Sequence, residues 1–270
     1  MVRHSVKLHV QALIAAFQFL TRFPVPVSVP FNGPVLTRSV IYFPAAGALI
    51  GVSLAAAAMV LEMFVPAWPS AVLLLALWTA LSGGLHMDGW MDTADGVLSH
   101  RPRERMLEIM KDSRVGAMGV LAAVLLLLFK ASLLAELLVS GKAEIIIMLL
   151  IICPVWSRAW MAVAIAGWPN ARSGEGIGAL FNDVKGMQAA ASMLLASVIS
   201  FSVLLIKGIE MNEAFMLLII AIALTIVCGG IFAVWLNRKL GGLTGDTYGA
   251  MNEAVEAMLL FAAVIWLNAL

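Results

Sequence analysis

Seven apolar stretches, each close to the length of a membrane span, take up most of this chain: residues 38–61, 67–84, 118–139, 143–166, 188–206, 214–236 and 249–269. A helix needs roughly 20 apolar residues to cross the hydrocarbon core of a bilayer. A water-soluble fold has nowhere to hide that much apolar surface, whereas lipid can act as its solvent once every backbone polar group is paired inside a helix. Of 270 residues, 62% are hydrophobic and 12% charged, and the mean hydropathy is +1.00. That is about half the charge of an ordinary soluble domain. A membrane β-barrel would require short segments of alternating polarity, and the sequence has none. The expected fold is therefore all-α: one polytopic transmembrane bundle over residues 1–270, with about seven spans.

The shorter apolar stretch 8–20 is flanked by polar residues and is expected to form an interfacial or re-entrant helix. Thr21-Arg22-Phe23-Pro24-Val25-Pro26 cannot continue it, because alternate prolines remove donors and restrict the residues before them. A removed signal peptide is not expected, since no small-residue cleavage site leads into a polar mature chain. Cys153 and Cys228 lie inside apolar stretches without ligand spacing and read as small hydrophobes. A net charge of +1 gives no reason to expect a nucleic-acid partner.

Lys and Arg placement sets the orientation. With the N-terminus in the cytoplasm, Arg3, Lys7, Arg22, Arg38, Arg101, Arg103, Arg105, Lys111, Arg114, Arg158, Arg172, Lys185, Arg238 and Lys239 fall on the inner side. Lys142 and Lys207 fall outside, and Lys130 lies within a span. The same inner loops hold almost every Gly-rich or acidic cluster.

The richest of these clusters is Gly83-Gly84-Leu85-His86-Met87-Asp88-Gly89-Trp90-Met91-Asp92-Thr93-Ala94-Asp95-Gly96. Asp88, Asp92 and Asp95 follow an i, i+4, i+7 spacing, which puts three carboxylates on one helix face. Such anions repel one another, and a hard divalent cation such as Mg²⁺, which also binds substrate phosphates, is their natural partner. The plainer alternative is a solvated helix face. No Cys is nearby and one His is too few for a typical zinc site. His86 is either a ligand, a phosphate donor or a structural neighbour.

Lys111-Asp112-Ser113-Arg114-Val115-Gly116 places two cations just before a span, where they suit phosphate oxygens. Arg101, Arg103 and Arg105 read instead as positive-inside anchors. Near the end, Gly241-Gly242-Leu243-Thr244-Gly245-Asp246-Thr247-Tyr248-Gly249 puts Gly-rich backbone before a helix, where amides can meet an anion. Asp246 there either joins the first cluster or caps its own helix. Asn252 and Glu253 follow at the start of the last span, where polar groups are costly unless used. Arg158 either snorkels to the interface or binds an anion. The loop Arg172-Ser173-Gly174-Glu175-Gly176-Ile177-Gly178 is a weak glycine pattern.

Four of these segments together resemble the cobalamin 5′-phosphate synthase family, the adenosylcobinamide-GDP ribazoletransferases. They are Phe19 to Pro26, Gly84 to Gly96, Lys111 to Gly116 and Gly242 to Ala250, in the expected order across nearly the whole chain. The resemblance implies a Mg²⁺-dependent transferase in the inner membrane of a prokaryote. It would join a corrinoid-GDP to α-ribazole or α-ribazole 5′-phosphate and release GMP, and homo-oligomerisation is left open. The negative charge that develops in such a transfer assigns catalytic roles to Asp88, Asp92, Asp95 and Asp246, with metal on the first three. Arg22, His86, Lys111, Arg114 and Arg158 would bind substrate. Two other readings compete. A CDP-alcohol phosphotransferase also carries clustered aspartates, but Asp88-Gly89 is followed here by Trp90-Met91-Asp92 rather than by its usual Ala-Arg. An ion-coupled transporter would place its charges near mid-membrane, whereas these acids gather at one face.

Overall fold

A computed structural model describes residues 2–172 and 176–268, and among them the regular structure is helical. The helices are α1 (Val2–Leu20), α2 (Gly33–Ser39), α3 (Phe43–Glu62), α4 (Ala67–Leu81), α5 (Leu85–Val97), α6 (Arg103–Ile109), α7 (Ala117–Val139), α8 (Ala143–Gly167), α9 (Gly186–Ile206), α10 (Met211–Leu240) and α11 (Gly245–Asn268). The protein is a multi-pass membrane protein. Among the described residues, six helical runs are long and apolar enough to cross a bilayer: Gly33–Glu62, in which a 3-10 turn joins α2 to α3, and then α7, α8, α9, α10 and α11.

The seventh expected stretch, 67–84, is not one straight span. α4 and α5 meet at a 90° bend. Gly83 and Gly84 make the turn with φ of +67° and +72°, a left-handed conformation that a side chain would oppose. At 1.5 Å per residue α4 is only about 22 Å long, short of a bilayer core of about 30 Å. With α4 along the membrane normal, the bend lays α5 parallel to the membrane plane. Hydropathy alone overlooks this corner, since glycine does not interrupt an apolar run.

α1 is longer than the stretch 8–20 suggested, and it buries Ala12, Ala15, Ala16 and Leu20 against α2 and α3. It ends where the proline-rich segment begins, and that segment is pinned by Arg22 N–H donating to Leu81 O at 2.8 Å and Gln18 Nε2 donating to Val27 O at 2.6 Å. α8 is the central post of the bundle. Trp156, Arg158 and Trp160 on it are almost fully buried, and α3, α9 and α11 pack around it. α11 in turn lies along α5 and α7, which makes it the helix that joins the bundle core to the acidic corner.

Candidate active site

α5 carries Asp88, Asp92 and Asp95 on successive turns of an actual helix. Gly89, between the first two, allows α11 to come close: a Cβ there would stand 2.5 Å from Asp246 O. The start of α11 is set by its own threonines. Thr244 N–H donates to Thr247 Oγ1 at 2.8 Å, and Thr247 N–H donates to Thr244 Oγ1 at 3.3 Å, a reciprocal cap that fixes the turn bearing Asp246. Asp88, Asp92 and Asp246 therefore share one electrostatic neighbourhood, and Arg172 enters it as the cation. Arg172 Nη2 stands 2.8 Å from Asp246 Oδ2. Between α5 and α11 lies a cavity of about 80 Å³, lined by His86, Asp88, Gly245, Asp246 and Tyr248, with Phe19 and Phe181 on its apolar wall.

His86 is 1% exposed and held from behind. Arg158 Nη2 lies 3.2 Å from His86 Nδ1, and Asn252 Nδ2 lies 3.1 Å from the same atom. A guanidinium only donates, so Nδ1 accepts and the ring proton sits on Nε2. That Nε2 is buried and has no hydrogen-bond partner among the described residues. His86 thus presents a donor in the wall of the cavity.

Behind His86 is a charged network inside the bundle. Glu256 of α11 pairs with Arg158 of α8, and both are 0% exposed. Lys130 Nζ of α7 lies 2.8 Å from Glu253 Oε2 and 2.7 Å from Glu256 Oε2, and 4.5 Å from the ring centroid of Trp78 on α4. Ser157 Oγ donates to Glu256 at 3.1 Å. Two cations and two carboxylates balance, which is how ionised groups persist in a membrane core. Arg158, expected to bind an anionic substrate or to snorkel, has its anion inside the protein in Glu256. Its route to the chemistry is through His86.

The structure separates the other expected residues. Asp95 faces away from Asp246 and toward α7: Gly116 N–H donates to Asp95 Oδ2 and Gly119 N–H to Asp95 Oδ1, both at 2.7 Å. It caps the positive end of α7. Beside it is a second cleft of about 300 Å³, lined by Asp95, Arg105, Asp112, Arg114 and Gly116. Arg114 is 87% exposed and forms a two-pronged contact with Asp112, Nε to Oδ1 at 3.0 Å and Nη2 to Oδ2 at 2.7 Å. The guanidinium holds the Asp112 carboxyl down to about 2. Lys111 is exposed on the same loop. The Arg22 guanidinium lies against Gly83 at the α4–α5 corner, and that of Arg103 against Gly241 at the end of α10. Ser173, Gly174 and Glu175 of the weak glycine loop lie outside the described residues.

Hard carboxylate oxygens without thiolates suit Mg²⁺, and Asp88, Asp92 and Asp246 supply them around an excess of negative charge. Among the described residues, no three His, Cys, Asp or Glu side chains stand as a ready-made metal site. Both oxygens of Asp95 accept amides at the start of α7, and the carboxylates that line the cavity are Asp88 and Asp246. Sequence reasoning passed over Glu256 and the site role of Arg172. Glu256 had a legible signal: two cations and two acids within apolar stretches need one another.

The family model described as cobalamin-5-phosphate synthase matches residues 12–264. A protein from Brevibacillus brevis named adenosylcobinamide-GDP ribazoletransferase is 41% identical over 258 residues, covering 94% of this chain and 97% of that protein. Proteins of the same name from Desulfitobacterium hafniense and Caldanaerobacter subterraneus are 39% and 32% identical, covering 92% and 91% of this chain and 94% of each relative. No solved structure matches the chain significantly.

Proposed function

Because the chain belongs to the cobalamin-5-phosphate synthase family, we propose that it is an adenosylcobinamide-GDP ribazoletransferase whose reaction centre lies between α5 and the start of α11. One observation carries the placement. Segments Gly84–Gly96 and Gly242–Ala250, remote in sequence, meet around one cavity that holds Asp88, Asp246 and the donor His86.

The reaction is a phosphoryl transfer. A hydroxyl oxygen of α-ribazole, or of its 5′-phosphate, bonds to the corrinoid-side phosphorus of the GDP-linked pyrophosphate. The phosphoanhydride bond breaks and its electron pair leaves on GMP. The hydroxyl proton passes to a carboxylate of the site, Asp246 in the cavity wall or Asp92 close by. His86 Nε2–H donates to a phosphoryl oxygen, and Arg158 and Asn252 keep that proton on Nε2. Arg114 and Lys111, on the loop by the second cleft, and Arg22, at the α4–α5 corner, lie outside this cavity and would serve parts of the substrate beyond the transferred phosphate. Mg²⁺, held by Asp88, Asp92 and Asp246, would neutralise charge developing on the phosphoryl oxygens and on the departing GMP. The Lys and Arg imbalance supports a cytoplasmic position for this corner, and the family resemblance supports the inner membrane of a prokaryote.

The test is turnover by the purified protein in lipid with adenosylcobinamide-GDP, α-ribazole 5′-phosphate and Mg²⁺. One GMP should appear for each completed corrinoid, and a CDP-linked lipid donor should yield no CMP. CMP release without GMP release would replace this reading with the phospholipid enzyme.

A further inference from the structure

We propose that Arg172 is a phosphate-binding residue of the reaction: it holds Asp246 as an internal counter-cation until the substrate's pyrophosphate takes over its guanidinium. This rests on the reading of the α5–α11 cavity as a phosphoryl-transfer centre, and it adds a residue and an exchange to it.

The carrier of Arg172 is built into place. Residues 169–172 pair with the segment just before α11. Leu243 N–H donates to Pro169 O and Ala171 N–H to Leu243 O, each at 2.8 Å, forming a parallel bridge between Asn170 and Leu243. Asn170 Oδ1 accepts from Arg172 N–H at 2.8 Å. The two strands of chain press so closely at Gly242 that a Cβ there would stand 2.6 Å from both Ala171 N and Pro169 O. The backbone of Arg172 is thereby tied to the turn that carries Asp246, and the two residues move as one unit.

The guanidinium is only partly used. Nη2 pairs with Asp246 at 2.8 Å and the side chain is 11% exposed. Its Nε is buried and has no hydrogen-bond partner among the described residues. An arginine offers five donors in a planar fork shaped for carboxylate or phosphate. The neighbouring cavity wall has a second unsatisfied donor, His86 Nε2, which is almost fully buried. One unused donor in the cavity wall, His86, and another on Arg172, the cation paired with the cavity residue Asp246, point to an anionic ligand with several oxygens. A pyrophosphate supplies these oxygens. As it engages Arg172, Asp246 loses its counter-ion and becomes free to accept a proton or to face a cation.

The proposal separates two affinities that a purely structural ion pair would leave together. The experiment uses the full-length protein in lipid nanodiscs, GDP and GMP as probes, and Mn²⁺ read by electron paramagnetic resonance. In Arg172→Gln, GDP binding should weaken about 10- to 100-fold, the loss expected for a charge-assisted contact. GMP, which lacks the second phosphate, should change less than about threefold. Mn²⁺ without nucleotide should bind a few-fold more tightly, because Asp246 is no longer neutralised. Arg172→Lys should recover part of the GDP affinity, as it restores charge without the fork. The thermal unfolding midpoint should stay with the parent. GDP affinity equal to the parent in Arg172→Gln overturns the proposal, and so does a loss matched by a falling unfolding midpoint. If the parent protein binds no GDP and releases no GMP, it is the transferase reading that fails, and the two failures are told apart by that control.

Discussion

Replacing Lys130 with methionine should expose how the bundle tolerates four charges in its interior. Lys130 Nζ is shared between Glu253 and Glu256 at 2.8 and 2.7 Å, and its side chain is 2% exposed. Lys130→Met keeps the length of the chain and removes the charge. Glu256 then still has Arg158, Ser157 and Asn252. Glu253, 8% exposed at its side chain, loses the cation it pairs with. Orphaning a buried charge costs about 3–5 kcal/mol. Adding Glu253→Gln removes the orphan, so the double variant should recover about 2–3 kcal/mol of the Lys130→Met loss. Equilibrium unfolding in mixed lipid–detergent micelles measures Lys130→Met, Glu253→Gln alone and the double variant. A cost under about 1 kcal/mol for Lys130→Met, or strict additivity in the double variant, would refute the claim that this network is a paired, dry unit.

Further outcomes follow from the same geometry. Asp95→Ala should lower stability by about 0.5–2 kcal/mol, since it removes the acceptor of two amides at the start of α7; an unchanged unfolding midpoint would show that these bonds do not hold the helix. The Asp112 carboxyl, held down to about 2 by Arg114, is a depressed acid. Its contribution is present above the unfolded value near 4 and is lost as pH falls through about 2, so the pair adds no pH dependence near neutrality. Arg114→Ala should return its titration to about 4 by carbon NMR, and a titration still near 2 would contradict the pairing. Reporter tags inserted near residues 100 and 180 should read cytoplasmic, and tags near 140 and 210 external. An external reading near 100 would overturn both the orientation and the side from which substrate arrives.

The spans were legible because lipid demands a long unbroken apolar run, and that demand is written locally. The 118–139 and 143–166 stretches became α7 and α8 within a residue of the expected limits. The α4–α5 corner was not legible from hydropathy, because it depends on two backbone dihedrals at Gly83 and Gly84 and not on side-chain polarity. The i, i+4, i+7 aspartates were legible as a helix face. Which of them faces the cavity was not, because Asp95 is drawn to amides of α7 more than twenty residues further along the chain. The buried ion network joins residues about a hundred positions apart on different helices, and local spacing carries no information of that kind. Arg172 looked like the edge of a weak glycine loop until the bridge at Leu243 placed it on Asp246. The substrate came from none of these patterns. It came from the resemblance, which the family match supports.

If the carboxylates between α5 and α11 perform the transfer, Asp92→Asn is the change that should stop it. The change keeps size and hydrogen-bonding capacity and removes one charge from a neighbourhood that already holds Asp88 and Asp246, so insertion and unfolding should match the parent. GMP release from adenosylcobinamide-GDP in proteoliposomes should fall at least about 100-fold, on the order of 3 kcal/mol of lost transition-state stabilisation, with partial recovery as Mg²⁺ is raised. A correctly inserted variant that releases GMP at the parent rate at low Mg²⁺ would leave the acidic face a solvated surface and contradict the account.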